Sequence, residues 1–120
     1  MYSWKVAHSF KEGMSGDTVV WFQEDFEAVR DGKKGHNAHP EVVSHLHIVK
    51  QTIEHPDEVR QDRGHTNRQC FYSRFSGDSV YKNQHMKVVI EQTWYGKLRV
   101  LTAYFTQNIN SGEETIWTKK

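Results

Sequence analysis

Residues 39–60 read HPEVVSHLHIVKQTIEHPDEVR, and the reading of the whole chain turns on them. Val42, Leu46, Val49 and Ile53 fall at i, i+4, i+7 and i+11, the spacing of one apolar stripe on an α-helix. Val43 widens the stripe. Pro40 suits a first helical position, where its missing N–H has no partner to lose. Glu41 then meets the positive end of the helix dipole. His55 precedes Pro56 and is pushed out of helical backbone, so it marks a break. Residues 56–61 start again in the same way, with Asp57 and Glu58. The stretch predicts one long helix, a kinked stop and a short second helix. No other helical pattern in the chain is as long, which makes this helix the natural cover for a sheet.

On either side the period changes to two. Residues 3–10 alternate Trp4, Val6, His8 and Phe10 against polar or small residues, a half-buried strand. The glycine-containing turn KEGMSGD separates it from Thr18, Val19, Val20, Trp21 and Phe22, the second strand of a hairpin. Phe22, Phe26 and Val29 then give helical spacing, ended by Asp31-Gly32 with glycine free to take a left-handed cap. After the central helices, residues 69–75 alternate again. Residues 86–95 and 98–106 flank Gly96-Lys97 and form the clearest hairpin. A polar tail ends in Thr115, Ile116, Trp117 and Thr118, an edge strand followed by two lysines.

Helices followed by strands predict a single α+β domain over residues 1–120. An N-terminal hairpin and helices would pack on one face of a mainly antiparallel sheet of about four to six strands. Sixteen basic and fifteen acidic residues leave a net charge of +1, so a nucleic-acid role needs a local basic patch rather than a global field. A single cysteine, Cys70, rules out an intramolecular disulfide. No apolar run approaches the length of a membrane span and no signal peptide is evident, so a soluble cytoplasmic protein without a membrane partner is expected.

If the helix stripe packs on the sheet, Phe71, Phe75, Val88, Ile90, Leu101, Ala103 and Phe105 face inward. Tyr72, Arg74, Lys87, Glu91, Thr93, Thr102 and Tyr104 then face outward. That outward set suits phosphodiester chemistry. Arg and Lys stabilise charge on a transferring phosphate, a His or carboxylate accepts a hydroxyl proton, and tyrosine stacks a base or gives a proton. A polar outer face is also what any one-sided antiparallel sheet carries.

The motifs His39-Pro40-Glu41-Val42, Pro56-Asp57-Glu58-Val59, Phe71-Tyr72-Ser73-Arg74, Met86 to Ile90 and Thr102-Ala103-Tyr104 occur in that order. In order and spacing they resemble the phage and mobile-element nucleases of the Barnase–EndoU–Colicin–RelE fold, over roughly residues 39–106. The resemblance implies toxin-like, metal-independent cleavage of RNA with no cofactor, and a cognate inhibitor protein as a second partner. Carried over by position, it implies His39, Arg74 and Thr102 as catalytic, with Tyr72 and Tyr104 nearby. Such sequences often hold a Trp and a His in the helix before the HPE motif. Here that region reads FQEDFEAVRDGKKGHN, and His36 would substitute from the loop; failing that, the chain is a binding or inactive member.

The resulting assignment has His39 or His36 as the acid/base, Arg74 and Lys87 as phosphate stabilisers, and Glu91 as a second proton-transfer group. Thr102, Tyr72 and Tyr104 position substrate, and the basic loop residues Lys33, Lys34 and Arg63 contact phosphates. The alternative is a non-catalytic module holding a small ligand or protein in a cleft between helix and sheet. The eight histidines raise the question of zinc, but no H-E-x-x-H or Cys-x-x-Cys spacing exists and no metal site is expected. His45, His47 and His85 read as solvated surface, the four tryptophans as core or strand-pair residues, and Cys70 as a small buried hydrophobe.

Overall fold

The structure, a computed structural model, describes residues 4–33, 35, 37–77 and 80–119. The fold is α+β. Strands β1 (Val6–Lys11) and β2 (Thr18–Phe22) form the N-terminal hairpin, followed by helix α1 (Gln23–Asp31). Gly32 caps α1 in left-handed backbone, at φ 77°, and donates its N–H to the Ala28 carbonyl. Helices α2 (Glu41–Ser44) and α3 (Leu46–Glu54) come next. Strands β3 (Glu58–Gln61), β4 (Arg68–Arg74), β5 (His85–Gln92), β6 (Leu98–Thr106) and β7 (Glu114–Thr118) complete the chain. All seven strands join one sheet in the order β1-β2-β6-β5-β4-β3-β7. It has more strands than the four to six expected. It is mainly antiparallel, as expected, with one parallel pairing, between β2 and β6.

The helices lie on one face. Val42, Val49 and Ile53 of the predicted stripe are buried, and α3 packs across β5, β4 and β1. Full burial of each such side chain contributes roughly 1.5–3 kcal/mol. Val43 does not widen the stripe; it is exposed. The long helix is interrupted at His45. In an unbroken helix the His45 N–H would donate to the Glu41 carbonyl. Instead it donates to Val42 O at 3.1 Å, and the ring Nδ1 takes the Glu41 carbonyl at 2.7 Å. The ring then lodges edge-on among Phe75, Tyr81 and Phe105. His45 is thus half-buried, not surface, while His47 is exposed.

The predicted short helix at 56–61 is a strand. Val59 is its only apolar residue and is buried, while Glu58 and Arg60 point the other way and pair with each other. The backbone is used on both sides, against β4 and β7, and this pairing outweighs the helix-start signal of Pro56-Asp57-Glu58. The hairpin around Gly96 and the C-terminal edge strand are present as expected.

Strand β6 carries a bulge. Val89 pairs with Thr102 while the next residue of β5, Ile90, pairs with Val100, leaving Leu101 as the extra residue. Leu101 therefore leaves the inward phase and packs on the outer face with Cys70, Tyr72 and Val89. Ala103 and Phe105 remain inward. Of the tryptophans only Trp21 is in the core; Trp94 is 95% exposed and Trp4 58% exposed.

Candidate functional site

Pairing across β4, β5 and β6 arranges the outer face in rows. Tyr72, Lys87 and Tyr104 form one row, and Cys70, Val89 and Thr102 the next. Arg68, Glu91 and Arg99 lie beyond these, and Arg74, His85 and Thr106 lie on the opposite side. The segment 107–113 crosses this face as a strap. Ile109 packs on the outer apolar cluster, and Arg60 Nη1 donates to the Glu113 carbonyl at 3.0 Å.

The strap delivers a carboxylate that no sequence pattern singles out. Glu113 has a side chain only 2% exposed. It accepts the Tyr72 hydroxyl at 2.5 Å and the Lys87 Nζ at 2.8 Å. Burial disfavours the charged amine of Lys87, but the hydrogen bond to Glu113 together with the neighbouring Tyr104, Cys70 and Tyr72 outweighs it, and the pKa is raised. Burial, then the bond to Glu113, raises the pKa of the Tyr72 phenol. Burial pushes the Cys70 thiol up to about 12, which makes it a poor nucleophile. The Lys87 Nζ lies 5.6 Å from the Tyr72 ring centre and 5.9 Å from that of Tyr104.

His39 reaches this row from the helical side. Its backbone N–H donates to Val29 O at 2.8 Å, tying the segment to the last turns of α1. Strand β2 pairs with β6 only at Leu98 and Arg99, so later residues of β6 lack that neighbour. Across this gap the imidazole stacks on the Tyr104 ring, with centres 5.3 Å apart and planes 20° apart. Its Nδ1 lies 3.1 Å from Glu41 Oε1, which orients the ring.

Lys87, Thr102 and Tyr104 line a cleft of about 370 Å³ with Asp62, Arg68, Val89 and Leu101. Burial opposes ionisation of Asp62, but hydrogen bonds from His65 and the Gly64 N–H together with Arg68 hold its pKa below the ordinary value. The arrangement gathers a hydroxyl, an ammonium, a phenol and an imidazole.

Of the predicted residues, His39, Thr102, Tyr104, Lys87 and Tyr72 are thus neighbours. Arg74 is not beside Thr102: two strands and four residues separate them, on the order of 15 Å or more. It is exposed at the end of β4, and its backbone N–H is held by Asp57 at 2.8 Å. Glu91 lies toward the other end of the sheet, bonded to Arg99 at 2.9 Å and Arg68 at 3.3 Å. Lys33 lies 4.0 Å from Asp31 at the end of α1, and the Arg63 side chain lies against Gly112 of the strap. His36 and Lys34 fall outside the described residues.

Two groups were missed by the sequence reading. His85, read as a surface residue, is half-buried beside Tyr72, with ring centres 6.5 Å apart. Its period-two relation to Lys87 on β5 was the available signal. Glu113 had none, since it sits in an irregular polar run. Among the described residues no group of three His, Cys, Asp or Glu side chains is placed to hold a metal ion, and no helix is long and apolar enough to cross a membrane. The chain matches no family model, and neither a curated protein nor a solved structure is significantly similar to it.

Proposed function

We infer that the outer face around Lys87 and Tyr104 cleaves RNA by metal-independent acid/base chemistry. The observation that carries this reading is the stack of His39 on Tyr104 at the cleft that Lys87 and Thr102 line. His39 takes the proton of a ribose 2′-hydroxyl. The oxygen attacks the adjacent phosphorus, the bond to the 5′-oxygen breaks, and a 2′,3′-cyclic phosphate forms. His85 gives the departing oxygen its proton. Lys87 stabilises charge on the phosphorane, and Arg74 binds a flanking phosphate rather than the reacting one. A cognate inhibitor protein would cover the same face.

The experiment is cleavage of an RNA panel in EDTA by the wild type, His39→Ala and His85→Ala. EDTA-resistant cleavage lost in both variants, each still folded, supports the reading. An intact panel with folded wild type removes it.

One observation favours the second reading, a binding module. The Lys87 ammonium is already bonded to Glu113, so the cleft offers an incoming anion less charge than its residue types suggest. Ligand binding without turnover would be the outcome on that reading.

A further inference from the structure

Beyond the cleft, the outer face continues toward the turn between β5 and β6. Arg68 lines the cleft and also bonds Glu91. Glu91 and Arg99 line the next hollow, of about 350 Å³, together with Trp4, Trp94 and Tyr95. Thr93 stands six residues along from Lys87, about 20 Å away on an extended strand. Arg99 is clamped in its plane, with Nε 2.9 Å from Glu91 and Nη1 3.6 Å from Asp25. Trp4 and Trp94 each meet Tyr95 edge-on, with ring centres 5.5 and 5.3 Å apart. An edge-on contact covers at most one face of a ring, and Trp94 is 95% exposed.

Beyond the cleft the face therefore carries a row of planar groups: the guanidiniums of Arg68 and Arg99, then Tyr95 and Trp94. Flat aromatic and guanidinium surfaces at intervals suit unpaired nucleobases, which stack on both. A duplex hides its base faces and does not fit. The charges along the row are largely matched, since Glu91 and Asp25 face Arg68 and Arg99. Binding here should draw on stacking more than on phosphate contacts.

We propose that this row is a single-stranded RNA track, holding on the order of four nucleotides that flank the cleavage point, with Trp94 as its terminal stacking platform. The proposal rests on the reading of the outer face as an RNA-cleaving surface, and its test is kept separate from cleavage. The probe is an eight-nucleotide oligoadenylate with every ribose 2′-O-methylated, which cannot be cut through a 2′-hydroxyl. Binding is followed by anisotropy of a dye on the oligonucleotide, for wild type, Trp94→Ala and Trp94→Phe.

The expected result is about a tenfold loss of affinity in Trp94→Ala and near wild-type affinity in Trp94→Phe. Affinity should fall less than tenfold between 50 and 200 mM salt, against the thousandfold or more seen for many phosphate contacts. Equal affinity in Trp94→Ala, absence of binding, equal binding of the duplex form, or a steep salt dependence each overturns the track. A wild type that dimerises in sedimentation while Trp94→Ala stays monomeric assigns the patch to a second copy and also overturns it. Binding with the expected signature but no cleavage of ordinary RNA leaves the track standing and removes the nuclease reading. Cleavage by a protein whose Trp94→Ala variant binds the oligonucleotide as well as wild type does the reverse.

Discussion

Tyr72 and Glu113, 41 residues apart in the chain, meet in a 2.5 Å hydrogen bond beneath the strap that crosses the sheet. The same carboxylate takes the Lys87 ammonium, so one side chain fastens segment 107–113 to two strands at once. This joins the fold to the candidate site. Whatever loosens Glu113 also changes the charge that faces the cleft.

Glu113→Ala leaves the Lys87 charge buried without its partner. Breaking a buried pair from one side costs about 3–5 kcal/mol. Urea denaturation should register a loss in that range. Combining Glu113→Leu with Lys87→Met should recover most of it, because the pair itself is worth little against an apolar replacement. Equal loss in the single and double variants would mean that the pair is not what holds the strap.

The same cluster sets the response to alkali. Tyr72 and Lys87 both have pKa values raised above their ordinary 10.0 and 10.5, so the folded state holds these protons more tightly than the unfolded chain. Their stabilising effect is complete below pH 10 and declines as the pH rises from there, where the unfolded chain loses the protons first. Tyr72→Phe should flatten that decline in thermal melts above pH 10 while leaving melts at neutral pH with the same slope. An unchanged alkaline slope would show that Tyr72 titrates alike in both states.

Gly13 packs where no side chain fits. A Cβ there would sit 2.2 Å from the Glu54 carbonyl oxygen, and its N–H donates to Ile53 O at 3.0 Å. Both groups are backbone, so neither yields without moving the end of α3. Gly13→Ala should cost about 1–3 kcal/mol, as forced packing does. Gly35→Ala is the comparison: that glycine has φ 81° and open space around it, so its cost of roughly 1 kcal/mol is conformational alone. Chemical denaturation of the two variants ranks them.

If the outer face cleaves RNA, His39 and Arg74 should fail differently. Loss of a proton-transfer group lowers kcat by about 10²–10⁴. Arg74 stands apart from Thr102 at the strand end, so Arg74→Ala should raise KM and spare most of kcat. Steady-state kinetics on a short RNA separates the two. A large kcat loss in Arg74→Ala would place the reacting phosphate at that end of the sheet.

Much of the fold was legible because its signals are local. Alternation marked β1 and β4, Gly96 marked the hairpin turn between β5 and β6, and Asp31-Gly32 marked the end of α1. The errors arose where tertiary contacts override local preference. At His45 a side chain competes with its own backbone for the Glu41 carbonyl, an event that apolar spacing does not register. At 56–61 the helix-start signal was real in type, but two neighbouring strands claimed the backbone. For the site, the outward phase of β5 brought Lys87 into the row that pairing then joined to Tyr72 and Tyr104. Glu113 lay beyond reach, since nothing in an irregular polar run tells which carboxylate will be folded back over a sheet.

The extra residue at Leu101 has a consequence for any engineered or natural variant of β6. Removing Leu101 only straightens the strand, because Val100 and Thr102 already face opposite sides and stay paired with Ile90 and Val89. A residue added after Thr102 acts on the sheet as a frameshift acts on a gene: Ala103 and Phe105 would exchange sides with Tyr104, putting a hydroxyl into oil and the oily groups into water. Single-residue changes of length in β6 should therefore be tolerated at the bulge and not beyond it.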